Sequence, residues 1–298
     1  MYRSLNDELR EKFGGKVYKL ALEGGFSCPN RDGTLGTGGC IFCLGGSGDF
    51  AEKPSGSIFE QIEKAKARVA GKNPSGKYIA YFQSYTNTYA PAEYLERIFS
   101  EAISHPDIVA LSVGTRPDCL PDDVIEVLAR LNKTKPVWVE LGLQTIHQKT
   151  AEYIRRGYPL PVFDSAVERL KKAGIYVVVH MIIGLPGETP EMIFETAEYI
   201  GKSGADGIKL QLLHVLSGTD LAKDYKAGKF RTLELDEYIL ILEGCIRRLP
   251  PEMTIHRLTG DGNKRHLIAP LWSGDKKRVL NAINSAFEND KLIQGESL

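Results

Sequence analysis

At 298 residues the chain is long enough to bury a sizeable core, and one α/β barrel or two ordinary domains would fit that length. Its 38 basic and 38 acidic residues cancel, so no global field announces a nucleic-acid or membrane partner, although a local basic patch is compatible with a neutral total. Five cysteines in so long a chain exclude a small disulfide-stapled secreted domain. Met1–Arg10 lacks the apolar centre of a signal peptide, and no later run approaches the ~18 uncharged apolar residues that span a bilayer, so the expected location is the cytoplasm.

In chain order, Lys16–Leu22 reads as a strand that Gly24-Gly25 terminates. Next comes a glycine-rich loop holding three of the five cysteines, with 11 residues between Cys28 and Cys40 and two between Cys40 and Cys43. Ser57 is positioned to cap a helix over 57–69, where Ile58, Ile62, Ala65 and Val69 recur at helical spacing. A buried strand over 77–83 precedes a helix opened by Pro91 and carrying Leu95, Ile98 and Ile103. The alternation continues with strands over 108–113, 137–143, 175–183 and 207–213, and helices over 121–131, 147–155, 162–173 and 190–202.

Six strand–helix units with continuous apolar strands predict a parallel sheet covered by helices. Polar residues cluster after many of the strand ends, which favours an incomplete TIM-like barrel, a partial (β/α)6 fold, over a doubly wound sheet. Residues 1–15 form a lead-in and 16–221 the barrel. Residues 222–298 form an α/β extension packed on it, with a helix over 233–249, a short strand over 253–258 and a helix over 275–287.

The cysteine loop carries the chemistry. A structural zinc site closes its tetrahedron with four protein ligands, and no fourth is offered nearby: the next histidine is His105, and Cys119 and Cys245 stand singly. An iron–sulfur cluster held by Cys28, Cys40 and Cys43 would instead leave one iron open to a cofactor or substrate. Zinc completed by a distant ligand is the alternative.

Several strand ends offer polar side chains. Gln83, Ser84 and Asn87 follow the second strand, either as ligand contacts or as a polar start to the next helix. Arg116 is placed to reach a carboxylate or phosphate bidentately, or else is a surface arginine in a turn. Glu140 and Gln144 share one face of a strand while Leu141 and Leu143 face away, so a lumen is their natural setting. His180 opens a stretch ending in Gly184-Leu-Pro-Gly and reads as a proton-transfer group or a satisfied core histidine. Lys209 and Gln211 share a face of the sixth strand, with His214 beyond them; a charge inside a buried strand implies a polar lumen.

In this order, the cysteine loop, Arg116-Pro-Asp, Glu140-x-Gly-x-Gln144 and the glycine turn after His180 resemble the radical S-adenosylmethionine (radical SAM) superfamily, over roughly Lys16 to Leu221. The long first cysteine gap is similar to the branch containing the Elongator catalytic subunit, whereas the commonest spacing of the superfamily has three residues there. The resemblance implies a [4Fe-4S] cluster on Cys28, Cys40 and Cys43, with S-adenosylmethionine on the remaining iron. It also implies a flavodoxin- or ferredoxin-like reductant. The Gly-Gly-Glu motif that engages the methionine amino group elsewhere is absent, and Gln83, Ser84 and Asn87 stand in its place. Arg116, Glu140 and Gln144 are implied beside the cofactor, and the backbone of Ile183 and Gly184 beside its adenine. Lys209, Gln211 and His180 are left as catalytic candidates.

By the same resemblance the substrate is tRNA at the C5 side chain of a wobble uridine. It would be gripped by the basic tail: Arg247, Arg248, Arg257, Lys264, Arg265, Lys276, Lys277 and Arg278. Solvated surface is the plain reading of those charges. The acetyltransferase domain of the Elongator subunit has no room here. A radical enzyme on a small metabolite or protein, and a non-catalytic zinc or iron–sulfur module, are the rival functions.

Overall fold

A computed structural model describes residues 1–45, 56–73, 75–260, 262 and 264–298. Its strands in chain order are β1 (Val17–Leu22), β2 (Lys77–Phe82), β3 (Ile108–Thr115), β4 (Val137–Gln144), β5 (Tyr176–Ile183), β6 (Gly207–Leu212), β7 (Val215–Leu216), β8 (Thr254–Arg257) and β9 (Leu267–Ala269). Seven of them form one sheet in the order β1-β2-β3-β4-β5-β6-β8, parallel throughout, while β7 and β9 pair antiparallel beside it. β1 and β8 are the two edges and do not pair with each other, so the barrel is left open on one side.

The strands look uniformly apolar in sequence, but they alternate in space. Leu20, Leu22, Ala80, Phe82, Leu111, Val113, Val139, Leu141, Val177, Val179, Ile208 and Leu210 face outward into the main core. They pack there against α2 (Ile58–Val69), α3 (Ala92–Ser104), α4 (Asp122–Asn132), α6 (Leu160–Lys172), α7 (Pro190–Lys202) and α9 (Leu235–Ile246). Each such valine, leucine, isoleucine or phenylalanine contributes about 1.5–3 kcal/mol by leaving water. Lys19, Tyr81, Ser112, Glu140, His180 and Lys209 fall on the opposite face, where hydrogen bonds join them. Ser57 caps α2 as expected, its hydroxyl accepting from the Glu60 amide at 3.2 Å.

Three features depart from the expected layout. The lead-in contains a helix, α1 (Leu5–Phe13), whose Leu9 packs with Val17, Ile79, Ala110 and Trp138 and so plugs the barrel at the N-terminal ends of its strands. Arg3 accepts a hydrogen bond from the Ile255 amide at 2.9 Å, and Ser4 bridges to Ile255, which covers part of the β8 edge. The short strand over 253–258 joins the main sheet as its seventh strand, with Gly207 opposite Thr254 and Ile208 opposite Ile255, because Ile255 continues the outward apolar row. The expected start of the extension, residue 222, lies within α8 (Asp220–Lys226), a helix too short to show a clear period in sequence. α10 (Lys276–Asn289) and the short α5 (Gln148–Tyr153) complete the α-helices among the described residues.

Candidate active site

The cysteine loop leaves the C-terminal end of β1 and is fixed by its own backbone. Arg31 donates to the Cys28 carbonyl at 2.8 Å, Gly39 to that of Asn30 at 2.7 Å and Cys43 to that of Cys40 at 2.9 Å. The Asn30 amide donates to the Arg155 carbonyl at 2.8 Å and to the Cys40 sulfur at 3.5 Å. Gly39 has φ +72°, and a Cβ there would lie 2.7 Å from the Arg31 guanidinium, so this position requires glycine. Burial, then the neighbouring Cys43, pushes the Cys40 thiol up to about 11, against the pull of Asn30 and Arg116. A metal bound there must therefore displace a proton. His105 points elsewhere, 2.6 Å from Glu63.

Arg116 reaches a carboxylate, and that carboxylate belongs to its own turn. Nε and Nη2 donate to Asp118 at 2.9 and 2.7 Å, and the guanidinium lies over the Tyr158 ring at 5.3 Å. It is nearly buried beneath the cysteine loop, not a surface arginine, and Gly157, at φ +84°, allows the close approach to Asn30 and Arg116. Burial alone lowers the Arg116 pKa, but the pair with Asp118 reverses the sign. Cys119 is buried.

Inside the barrel the sheet converges on Glu140, whose side chain has no exposed surface. Oε1 accepts from Lys19 at 2.6 Å and from Ser112 at 2.7 Å; Oε2 accepts from Tyr81 at 2.9 Å, from His180 at 2.7 Å and from Lys209. Burial by itself raises a carboxyl pKa, but Lys19, Lys209 and His180 together hold Glu140 well below the usual range. Lys209 is lowered to about 7, first by burial and then by Lys19 and Arg257, although Glu140 pulls the other way. His180 is lowered to about 4 by burial and by Lys209; the fifth of its side-chain surface left exposed meets the lumen, which moderates the burial effect. The neutral imidazole donates through Nε2 to Glu140, which leaves Nδ1 as an acceptor.

A cavity of about 600 Å³ lies above this network, lined by Cys43, Lys19, Gln83, Gln144, His180, Gln211, His214 and Arg257 among others. It also runs past the β1 edge to Ala65 and Arg68 of α2. Lys209, expected beside Gln211, lies beneath the lining and is bonded to Glu140 and Tyr81. Asn87 is fully buried, its amide donating to the Gly114 carbonyl at 2.7 Å while Oδ1 has no partner; Gln144 Oε1 is likewise buried without one. Ser84 bonds to Glu23. Ile183 faces the core, and Gly184, at φ +91°, holds a backbone conformation that favours glycine, with Leu233 packed tightly against it. Lys19, Tyr81 and Ser112 escaped the sequence reading, and Arg257, read there as part of the basic tail, lines the cavity instead. For Lys19 the signal was present, a cation inside an apolar strand in phase with Val17 and Ala21.

A three-thiol loop that meets a cavity through Cys43, beside Gln144 whose Oε1 is buried without a partner, suits a cluster and a cofactor bearing an ammonium and ribose hydroxyls; Asn87 is fully buried and does not line that cavity. Residues 32–200 match the model of the Radical SAM superfamily, and 205–289 that of the Radical_SAM C-terminal domain. The chain belongs to the radical SAM superfamily. Its cofactors are those of the family, a [4Fe-4S] cluster and S-adenosylmethionine. This radical SAM protein is 47% identical over 296 residues to uncharacterized protein YtqA of Bacillus subtilis, covering 99% of this chain and 92% of that one. It is 30% identical over 160 residues to tRNA uridine(34) acetyltransferase of Methanocaldococcus jannaschii, covering 51% of this chain but 28% of that protein. Among solved structures, archaeal Elp3 of Methanocaldococcus infernus with residues 1–46 deleted superposes with a TM-score of 0.72 at 18% identity, over 93% of this chain and 64% of that one, which supports the partial-barrel fold. No helix among the described residues is long and apolar enough to cross a membrane.

The buried network makes stability pH-dependent. Where His180 binds its proton more weakly folded (about 4) than unfolded (6.5), the unfolded chain holds more protons, so stability falls as pH drops through that window. Glu140, depressed when folded, extends the loss in the same direction below about 4.5. Urea midpoints measured from pH 7 to 4 should decline in the wild type and flatten in His180→Gln; equal slopes would contradict the assignment.

Proposed function

We propose that this radical SAM enzyme modifies tRNA at the C5 side chain of a wobble uridine, with its cluster on Cys28, Cys40 and Cys43 and a flavodoxin- or ferredoxin-like protein as reductant. The observation that carries the reading is that the cysteine loop reaches, through Cys43, the same cavity that Lys19, His180, Gln144 and Gln211 line. When bound, cluster and S-adenosylmethionine supply one-electron cleavage of the sulfonium and hydrogen abstraction by a 5′-deoxyadenosyl radical.

The protein's own residues do the positioning. Gln144 Oε1, buried without a partner on the cavity wall, accepts a hydrogen bond from the cofactor, and by the family resemblance the Ile183–Gly184 backbone is assigned to its adenine. Glu140 holds Lys19 and His180 in fixed orientation at the cavity floor, and α1 closes the far end of the lumen against water. His180 Nδ1 and Gln211 are left to meet the substrate.

The tRNA assignment draws on the printed function of the archaeal uridine(34) relative and on the exposed Lys276, Lys277 and Arg278 of α10. In the same tail, Arg247 pairs with Glu296 and Arg248 with Glu198, and Asp261 and Asn263 lie outside the described residues. The test compares nucleosides in bulk tRNA from cells with and without the gene. One modified uridine should disappear, and an unchanged profile would overturn the substrate. A small-metabolite substrate is the second reading, favoured by a cavity of about 600 Å³, a size suited to small ligands.

A further inference from the structure

The 11 residues between Cys28 and Cys40 do more than span a distance. Asn30 and Arg31, adjacent in that gap, turn donor groups toward the two later cysteines. Asn30 is buried, and the two hydrogens on its Nδ2 have two acceptors, the Arg155 carbonyl at 2.8 Å and the Cys40 sulfur at 3.5 Å. Turning the amide over would set its oxygen against the Arg155 carbonyl. Gly157 keeps the other side clear, since a Cβ there would lie 2.8 Å from Asn30 Oδ1.

Arg31 donates through Nη2 to the Cys43 carbonyl at 2.6 Å. Burial alone would lower its pKa, but Cys43, then Tyr85 and Cys28, reverse the sign, so its charge is felt at two of the three cysteines. Arg116 differs, because Asp118 offsets its charge. Among the described residues no carboxylate holds Arg31.

Hydrogen bonds and fixed positive charge at a cluster's sulfurs stabilise the added electron of the reduced state, which raises the potential. On binding metal the Cys40 thiol loses the proton that it directs at the Arg155 carbonyl, 3.7 Å away. The bond from Asn30 then gains strength from the charge on sulfur.

We propose that Asn30 and Arg31 act through Cys40 and Cys43 to raise the reduction potential of the cluster these cysteines hold. A reductant of given potential then passes its electron to the cluster more readily. The inference rests on the assignment of the cluster to Cys28, Cys40 and Cys43, and it deepens that assignment by giving the long gap a redox role.

An EPR-monitored redox titration of the full-length reconstituted protein, without S-adenosylmethionine, tests it. Arg31→Gln should disfavour reduction about tenfold, a fall of about 59 mV for one electron, and Asn30→Leu at least threefold, about 28 mV. Lys172→Gln, at the far end of α6, removes the same charge away from the loop and should leave the potential unchanged. Less than a threefold change in a cluster-loaded Arg31→Gln or Asn30→Leu overturns the role of that residue. Should a variant fail to retain its cluster, the wild-type protein decides. Isotopic nitrogen in the side chains of asparagine and, in a separate sample, of arginine should couple to the reduced cluster in pulsed EPR, and a missing coupling refutes the contact. Iron per chain is measured first, so a wild-type protein without a cluster removes the underlying assignment, whereas full iron with unshifted potentials removes the tuning role alone.

Discussion

Glu140→Ala is expected to lower the unfolding free energy by about 3–5 kcal/mol, the cost of stranding buried charge when one partner of an ion pair is removed. Lys19, Lys209 and His180 all converge on this carboxylate, and Lys209 is itself almost fully buried. Truncation leaves two ammonium groups facing each other across a cavity and Ser112 and Tyr81 without their acceptor. Urea unfolding at pH 7 measures the loss directly. Adding Lys209→Met should restore part of it, because the second change removes the charge that has become unpaired. A single Glu140→Ala variant within about 1 kcal/mol of the wild type would show that the network is not held as described.

Removing any one of Cys28, Cys40 or Cys43 should abolish cluster retention. Serine at each position keeps the loop's size but replaces a soft thiolate with a hydroxyl that stays protonated, so iron per chain after anaerobic reconstitution should fall to background, and 5′-deoxyadenosine release on reduction with it. Cys119→Ala and Cys245→Ala serve as controls, since both thiols are buried away from that role and their replacement should leave iron unchanged. Wild-type iron content in the serine variants, or stoichiometric zinc in the wild-type protein, would refute the assignment.

Much of the fold was legible because strand and helix periods are local properties. The outward faces of β1 to β6 read as apolar runs, and the caps and glycines that bound α2 and α7 lie in the sequence itself, Ser57 and Thr189 among them. β8 was harder to place. Thr254–Arg257 is too short to announce that it pairs with β6, and that pairing depends on a long-range register. α1 was missed because its apolar face amounts to Leu9 and the partly buried Leu5 and Phe13, and its other buried residue, Glu8, is charged.

The site followed the same division. Glu140, Gln144, His180 and Lys209 were visible as polar side chains in apolar strands, but their mutual bonding was not, because period two gives a face and not a partner. Asn87 and Gln144 became informative only once burial showed an acceptor without a donor. Arg116 shows the converse: the expected carboxylate exists, two residues away, as a brace for the turn under the cysteine loop.

The plug made by α1 has a consequence for biosynthesis. Residues 3 and 4 bond to β8, so they must wait for strand-forming residues made some 250 positions later. At about 5–20 residues per second that delay is on the order of ten seconds or more. Until then Trp138 lacks its edge-on neighbour His256, 5.6 Å away on β8. Chaperone shielding of the growing chain, and delayed loading of the inorganic cofactor until release, are the cellular provisions such an order of assembly calls for.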